Sequence, residues 1–210
     1  MAIITWPTEL AMPAECSISQ ARYDMTESSD ATGHRADRLF GPPRWRMSLR
    51  SADAFTLVQA GVYEAMLLKL RGSVNHLAMF DPVRQAPQGS MRGTLTLSGS
   101  HAAGATSLSI AGGAGNAAKT LLRGDWLQIG SGVGTSQLVK AVADATADGA
   151  GAISVTVEAP LRIAFANGTA VAWDKPVAYY KQISVPQWSY QPALRYKQRG
   201  FALDLLEAWT

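Results

Sequence analysis

Alternation of apolar and polar positions is the clearest signal along the chain. In RWRMSLR, Arg44–Arg50, the residues Trp45, Met47 and Leu49 alternate with Arg46, Ser48 and Arg50. A period of two predicts an amphipathic strand. The period then changes. In SADAFTLVQAGVYEAMLLKLRG, the residues Val58, Val62, Met66 and Leu70 recur at helical spacing and predict one apolar stripe. Ser51 or Asp53 is the expected N-cap, Lys69 and Arg71 suit the negative end of the helix dipole, and Gly72 is a natural stop. VNHLAMFDP follows as a strand closed by Asp81-Pro82. The order is strand, helix, strand.

Upstream, SISQARYDM reads as a strand, and Thr26–Pro43 (TESSDATGHRADRLFGPP) reads as a long polar excursion without clean periodicity. Downstream, VRQAPQGSMRG is a connector, after which Gly, Ala, Ser and Thr become frequent. TLTLSG, TSLSIAG, DWLQIG, QLVKAVAD, AISVTVEAPL and TAVAWD predict short strands separated by turns. From Pro176 the composition again resembles that of the N-terminal part. VAYYKQISV predicts a strand, PQWSYQPALRYKQ an irregular linker, and GFALDLLEAW a final strand with Phe201, Leu203 and Leu205 on one face. The expected fold is mainly β with one helix (α+β). Residues 1–92 and 176–210 would form a discontinuous domain, and 93–175 an inserted small antiparallel β-barrel or sandwich. The alternative is a linear pair of domains with a C-terminal arm.

Composition narrows the function. Hydrophobic residues make up 47% of the 210, enough for a core. Charged residues are only 17%, against about a quarter in ordinary soluble domains. That suits a protein that hides surface in an assembly. The net charge of +3 comes without a Lys/Arg run, which argues against binding driven by nucleic-acid phosphates. Cys16 is the single cysteine, so an intramolecular disulfide and a cysteine-rich zinc site are both excluded; a buried, inert thiol is expected. The opening residues lack a basic region followed by an apolar run, so no secretory signal is expected, and a reducing cytoplasm is the expected site of synthesis. No apolar segment approaches bilayer length.

No catalytic constellation emerges. GSGVGTS, Gly130–Ser136, lacks the Lys-Ser/Thr and the helix of a phosphate loop and reads as a flexible hairpin loop. His34, His76 and His101 have no paired-ligand spacing. There is no GxSxG, and Asp144 and Asp148 flank what reads as a polar turn. No cofactor or metal is expected. Arg123-Gly124-Asp125 has the form of an adhesion signal, but it reads more simply as the turn that launches a strand at Trp126. The suggestive cluster is aromatic: Tyr179, Tyr180, Trp188, Tyr190 and Tyr196, with Arg195, Lys197 and Arg199 among them. Tyr, Trp and Arg dominate protein–protein hot spots, which makes Tyr179, Tyr180, Trp188, Tyr190, Arg195 and Tyr196 candidate subunit-interface residues.

Two stretches carry a resemblance. LLRGDWLQIG followed by SQLVKAVADATADGAGAISVTVEAPLRIAFANGTAVAWDKPVAYY resembles a segment of tail-tip proteins of long-tailed bacteriophages. RWRMSLR with LLKLRGSVNHLAMFDP is similar to the strand–helix–strand of their tube-like domain. The nearest kind is the distal tail protein. The resemblance implies a non-enzymatic virion protein with a tail-tube-like β-sandwich and helix. It implies a hexameric ring around the DNA channel, with DNA only passing through the lumen, and an inserted β-domain facing outward. The implied partners are the tail tube and tail-tip or hub proteins; no membrane insertion is implied. A carbohydrate- or receptor-binding module is the first alternative, and a cell-wall-acting enzyme the second.

Overall fold

The computed structural model describes the chain except residues 11, 29–34, 52–55, 186, 192–196 and 210; at 26, 35–40, 187–191 and 197–200 it describes the backbone alone. The first half runs β1 (Ile3–Thr5), β2 (Glu15–Ser28), β3 (Arg35–Arg50), α1 (Leu57–Leu70), β4 (His76–Met79), β5 (Leu95–Leu97) and β6 (Ser107–Ala111). It continues with β7 (Thr120–Leu121), β8 (Trp126–Ile129), β9 (Gln137–Lys140), β10 (Ala145–Thr146) and β11 (Ala152–Thr156). The last elements are β12 (Ala170–Ala172), β13 (Ala178–Gln182), β14 (Gln187–Gln191) and β15 (Lys197–Glu207). The protein is mainly β, with α1 the single α-helix among the described residues.

Both ends of the chain build one sheet. Its order is β1-β4-β13-β15-β3-β2, with β14 paired to β15. All its pairings are antiparallel except β1 with β4. β3 shows why: Trp45, Met47 and Leu49 are buried, while Arg46 and Arg50 are exposed. Phe201, Leu203 and Leu205 of β15 bury the same face, and α1 covers it. Thr56 is the N-cap of α1, in a capping box with Gln59, and the helix ends with Arg71 in the left-handed region (φ 49°). Ser51, one of the two expected caps, instead accepts from the Phe201 N–H at 2.7 Å as the sheet continues; Asp53, the other, lies outside the described residues. The buried stripe is accordingly Ala60, Tyr63, Met66, Leu67 and Leu70, while Val58 is 77% exposed. The helix turns this way because the Tyr63 ring stacks on Phe201, with centroids 3.5 Å apart.

Thr26–Pro43, expected as a loop, largely belongs to a long hairpin. β2 and β3 pair from Glu15↔Arg50 to Ser28↔Arg35, whereas β15 joins β3 only over Arg46–Arg50. The outer part is therefore a two-stranded arm. Its described β2 side chains, Arg22–Met25, Glu27 and Ser28, are exposed, so no apolar face is required there. Register shifts on both sides of Tyr23, which pairs with Gly41 next to Pro42 and Pro43, mark where the arm leaves the sheet. β14 is the second departure from expectation: Gln187–Gln191 pairs with the first half of β15 and is not a linker. These pairings run past the Arg50 end of β3, opposite to the β2–β3 arm.

Six strands between residues 95 and 172 form a second sheet, ordered β11-β6-β5-β12-β8-β9, while β7 and β10 pair separately. Its end strands meet through the Ala141↔Val157 bridge and the hydrogen bonds Val142 N–H to Thr156 O and Glu158 N–H to Lys140 O, at 3.0 and 3.1 Å. The sheet thus curls shut as a small barrel, filled by Leu97, Leu108, Ile110, Leu127, Val139 and Val155 among others. The chain leaves for this barrel and returns at adjacent points, where the Lys175 N–H donates to Gln85 O (2.6 Å) and the Trp173 indole to Gly93 O (2.6 Å).

Because the Tyr63 ring is fully buried against Phe201, Tyr63→Ala is expected to cost about 3–5 kcal/mol of unfolding free energy in a denaturant titration. A loss below about 1 kcal/mol would show that the stack does not hold the helix to the sheet.

Candidate functional site

The functional geometry concentrates where the barrel meets the first sheet, and the Gly-Asp turn organises it. Gly124 adopts φ 92°, a conformation that disfavours a side chain. It aims Asp125 inward, where it is 2% exposed. The Asp125 carboxylate accepts from the Gln88, Gly89 and Leu122 N–H groups at 2.7, 3.1 and 2.8 Å. It pins the connector from the first sheet to the start of β8. Arg123 instead points to solvent and pairs with Asp144 at 3.3 Å. A tripeptide whose aspartate is buried under three donors is not presented as a ligand.

The next residue crosses the junction. Trp126 packs edge-on against Trp45 of β3, with centroids 4.7 Å apart. Its indole N–H donates to Asp81 (3.0 Å), and that of Trp45 donates to Leu138 O in β9 (3.1 Å). The Lys140 ammonium lies 4.5 Å from the Trp126 ring centroid.

Beside it lies a cluster of charged side chains. Trp209 is held between the guanidinium groups of Arg44 (4.5 Å) and Arg162 (4.6 Å). Glu207 is buried and accepts from the Trp45 N–H at 3.0 Å. Burial raises its pKa, against the opposing pull of that hydrogen bond and the two arginines. The Glu158 carboxyl accepts from the Lys140 N–H, and its Oε1 is buried without a hydrogen-bond partner among the described residues. Burial, with repulsion from Glu207, pushes its pKa up to about 7. Arg162 donates to Ser136 O (3.0 Å) and so ties the Gly130–Ser136 loop into the cluster. That loop, expected to be flexible, is anchored again by the Gly132 N–H on the Tyr179 hydroxyl, at 3.1 Å. Arg44, Glu207 and Trp209 of the cluster line a small cleft of about 190 Å³. Glu207 accepts from the Trp45 N–H, Glu158 from the Lys140 N–H, and Arg162 donates to Ser136 O, so the cluster ties backbone groups of both sheets together.

The expected interface residues separate. Tyr180 is fully buried in the first sheet's core, and burial holds its phenol well above the ordinary pKa. Tyr179 is half-buried and engaged with the glycine loop. Trp188 and Tyr190 lie in β14, where only the backbone is described; Arg195 and Tyr196 lie outside the described residues, as does His34. His76 is buried in β4, and His101 bridges Gly99 O (3.2 Å) and the Ser109 N–H (2.9 Å). Asp148 caps its own turn through the Ala150 and Ala152 N–H groups. Cys16 is partly buried, and burial pushes its thiol up to about 11. Among the described residues, no group of three or more His, Cys, Asp and Glu could hold a metal ion. Sequence reasoning missed Glu158, Arg162 and Glu207: isolated charges in strands and loops carry no spacing signal. No family model matches the chain, and no curated protein matches it.

Removing the Asp125 carboxylate strands three N–H groups, so Asp125→Ala is expected to lower stability by roughly 3–5 kcal/mol in a denaturant titration. A change within about 0.5 kcal/mol would contradict that role. Glu158 has a folded pKa above its unfolded value, so the folded protein holds the extra proton and this contribution to stability falls as pH rises from about 4.5 to about 7. Glu158→Gln should therefore stabilise by about 1–3 kcal/mol at pH 8, with the gain vanishing near pH 4.5. Equal stabilities at pH 8 would show that the buried charge carries no such penalty.

Proposed function

We propose that this chain is a non-enzymatic structural subunit of a phage tail, a distal tail or related tail-tip ring protein. The observation that carries the reading is the pair of sheet edges. β1 and β2 end the first sheet on opposite sides and, among the described residues, find no further strand partner. An open edge invites pairing with another chain unless a neighbour covers it. Heterologous contacts between successive copies cover every edge when the rotation closes. The low charge and the resemblance to tail-tip proteins support the same assignment.

On this reading residues 1–92 and 176–210 form the ring, and 93–175 are an insertion carried on it. The partners are further copies, closing a hexamer, together with the tail tube and the tip or hub proteins. DNA only passes through the lumen. Assembly takes place in the host cytoplasm and the product resides in the virion tail. The junction of Trp45, Trp126 and the buried carboxylates would hold the insertion at a fixed angle on the ring.

The test is mass determination of the intact protein across concentration, followed by electron microscopy. Sixfold rings, alone or with tail-tube protein, are expected. A protein that stays monomeric at all concentrations and in that company would sink the proposal.

A further inference from the structure

The barrel and the first sheet each have a packed core. Among the described residues, Trp126 and Leu138 are the only barrel side chains in the first sheet's core. Directional bonds add to that contact. The Trp45 indole donates to Leu138 O, the Trp126 indole to Asp81, the Gly132 N–H to the Tyr179 hydroxyl, and the Val177 N–H to the Gln128 side chain at 3.0 Å. The two chain connections lie side by side, so the units can part there while each core stays packed.

Glu158 stands at the seam. Its carboxyl accepts from the Lys140 N–H, and its own N–H donates to Lys140 O at 3.1 Å, which closes the barrel. Its Oε1 is buried without a hydrogen-bond partner, and no Lys or Arg side chain among the described residues forms an ion pair with it. The charges that act on it come from both units. Glu207 of β15 repels its ionised form, and Lys140 of β9 attracts it. Arg44 of β3, and Arg162 on the loop after Glu158, act on Glu207. The Lys140 ammonium lies on the Trp126 ring, within the fields of Asp81 and Arg84. Ionised, Glu158 is a buried carboxylate with a second carboxylate nearby and little to replace its water. Global unfolding would hydrate it. So would separation of the barrel from β15, which gives up far fewer contacts.

We propose that loss of the Glu158 proton loosens the barrel from the first sheet at this junction, with both cores intact. Glu158 is thus a proton-operated latch, and the fixed angle of the insertion is most secure in the protonated form. The device belongs to the single chain and operates with or without partner subunits. Closed, the carboxyl titrates near 7; parted and wet, it returns to its ordinary value near 4.5. The open-to-closed ratio therefore rises as pH climbs from about 4.5 to about 7, by up to roughly 300-fold, and is level above that.

Amide hydrogen exchange of the full-length protein, resolved by NMR, reads that ratio even when the open form is rare. Comparison with Glu158→Gln at the same pH cancels the intrinsic pH dependence of exchange. At pH 8 the Gly132 and Val177 amides and the Trp45 indole N–H should exchange tens of times to about 300 times faster in the wild type than in the variant; at pH 4.5 the two should agree within about threefold. In the wild type at pH 8, Gly132 and Val177 should also be at least about tenfold less protected than the amides of the β3–β15 and β6–β11 ladders. If they are as protected as the ladders, the junction opens only by global unfolding and the inference falls. If Glu158→Gln leaves their exchange unchanged, Glu158 does not govern the opening and the inference also falls. Should a thermal melt show the variant unfolded, the wild type decides alone. Protection of Gly132 and Val177, corrected for intrinsic exchange, must fall between pH 4.5 and 7 and level off above; a flat profile overturns the latch.

Discussion

Two tryptophans from different sheets meet at the centre of this molecule, and the arrangement of the rest depends on that contact. Trp45 belongs to β3 and Trp126 to β8. Each spends its indole N–H across the junction or beside it, on Leu138 O and on Asp81. An edge-to-face pair combines a large buried apolar area with directional bonds, so it fixes orientation as well as proximity. The barrel is carried on two adjacent connections, which alone would act as a hinge. The ring pair, with Leu138 and Trp126 counted in the first sheet's core, turns that hinge into a packed interface.

Polar groups reinforce the contact at some cost. Asp125 is nearly fully buried, yet three N–H donors replace its water. Glu158 and Glu207 are less fully compensated, and burial raises both pKa values. Arg44, Arg162 and Lys140 offset part of that penalty. A junction that mixes a ring contact with buried charges is more specific than one made of aliphatic packing, because the hydrogen bonds of Asp125, Trp45 and Trp126 form at one geometry only.

The edges of the first sheet have the opposite character. The interior of the molecule is occupied, with side chains filling both the barrel and the space under α1. Open features among the described residues include a groove beside one edge strand and an arm extending from the other. A protein organised in this way offers surfaces to other chains, and that physical contrast underlies the structural role proposed for it.

Much of this was legible in the residues. The alternation in β3, β5, β6, β11 and β12 announced strands, because one face of each is buried and the pleat has a period of two. The switch to helical spacing announced α1, although Tyr63 and Leu67, not Val58, took the buried stripe once Tyr63 stacked on Phe201. The Gly-Asp turn was legible from its chemistry. The arm was not, since the described β2 side chains from Arg22 to Ser28 are exposed and no apolar face is required there; nor was β14, since its pairing with β15 depends on a distant strand. Closure of the barrel, the meeting of Trp45 with Trp126 across 81 positions, and the convergence of Arg44, Glu158, Arg162, Glu207 and Trp209 were decided by tertiary structure alone. Local sequence determines which face a residue turns; which distant residue it meets there follows only when the whole chain is packed.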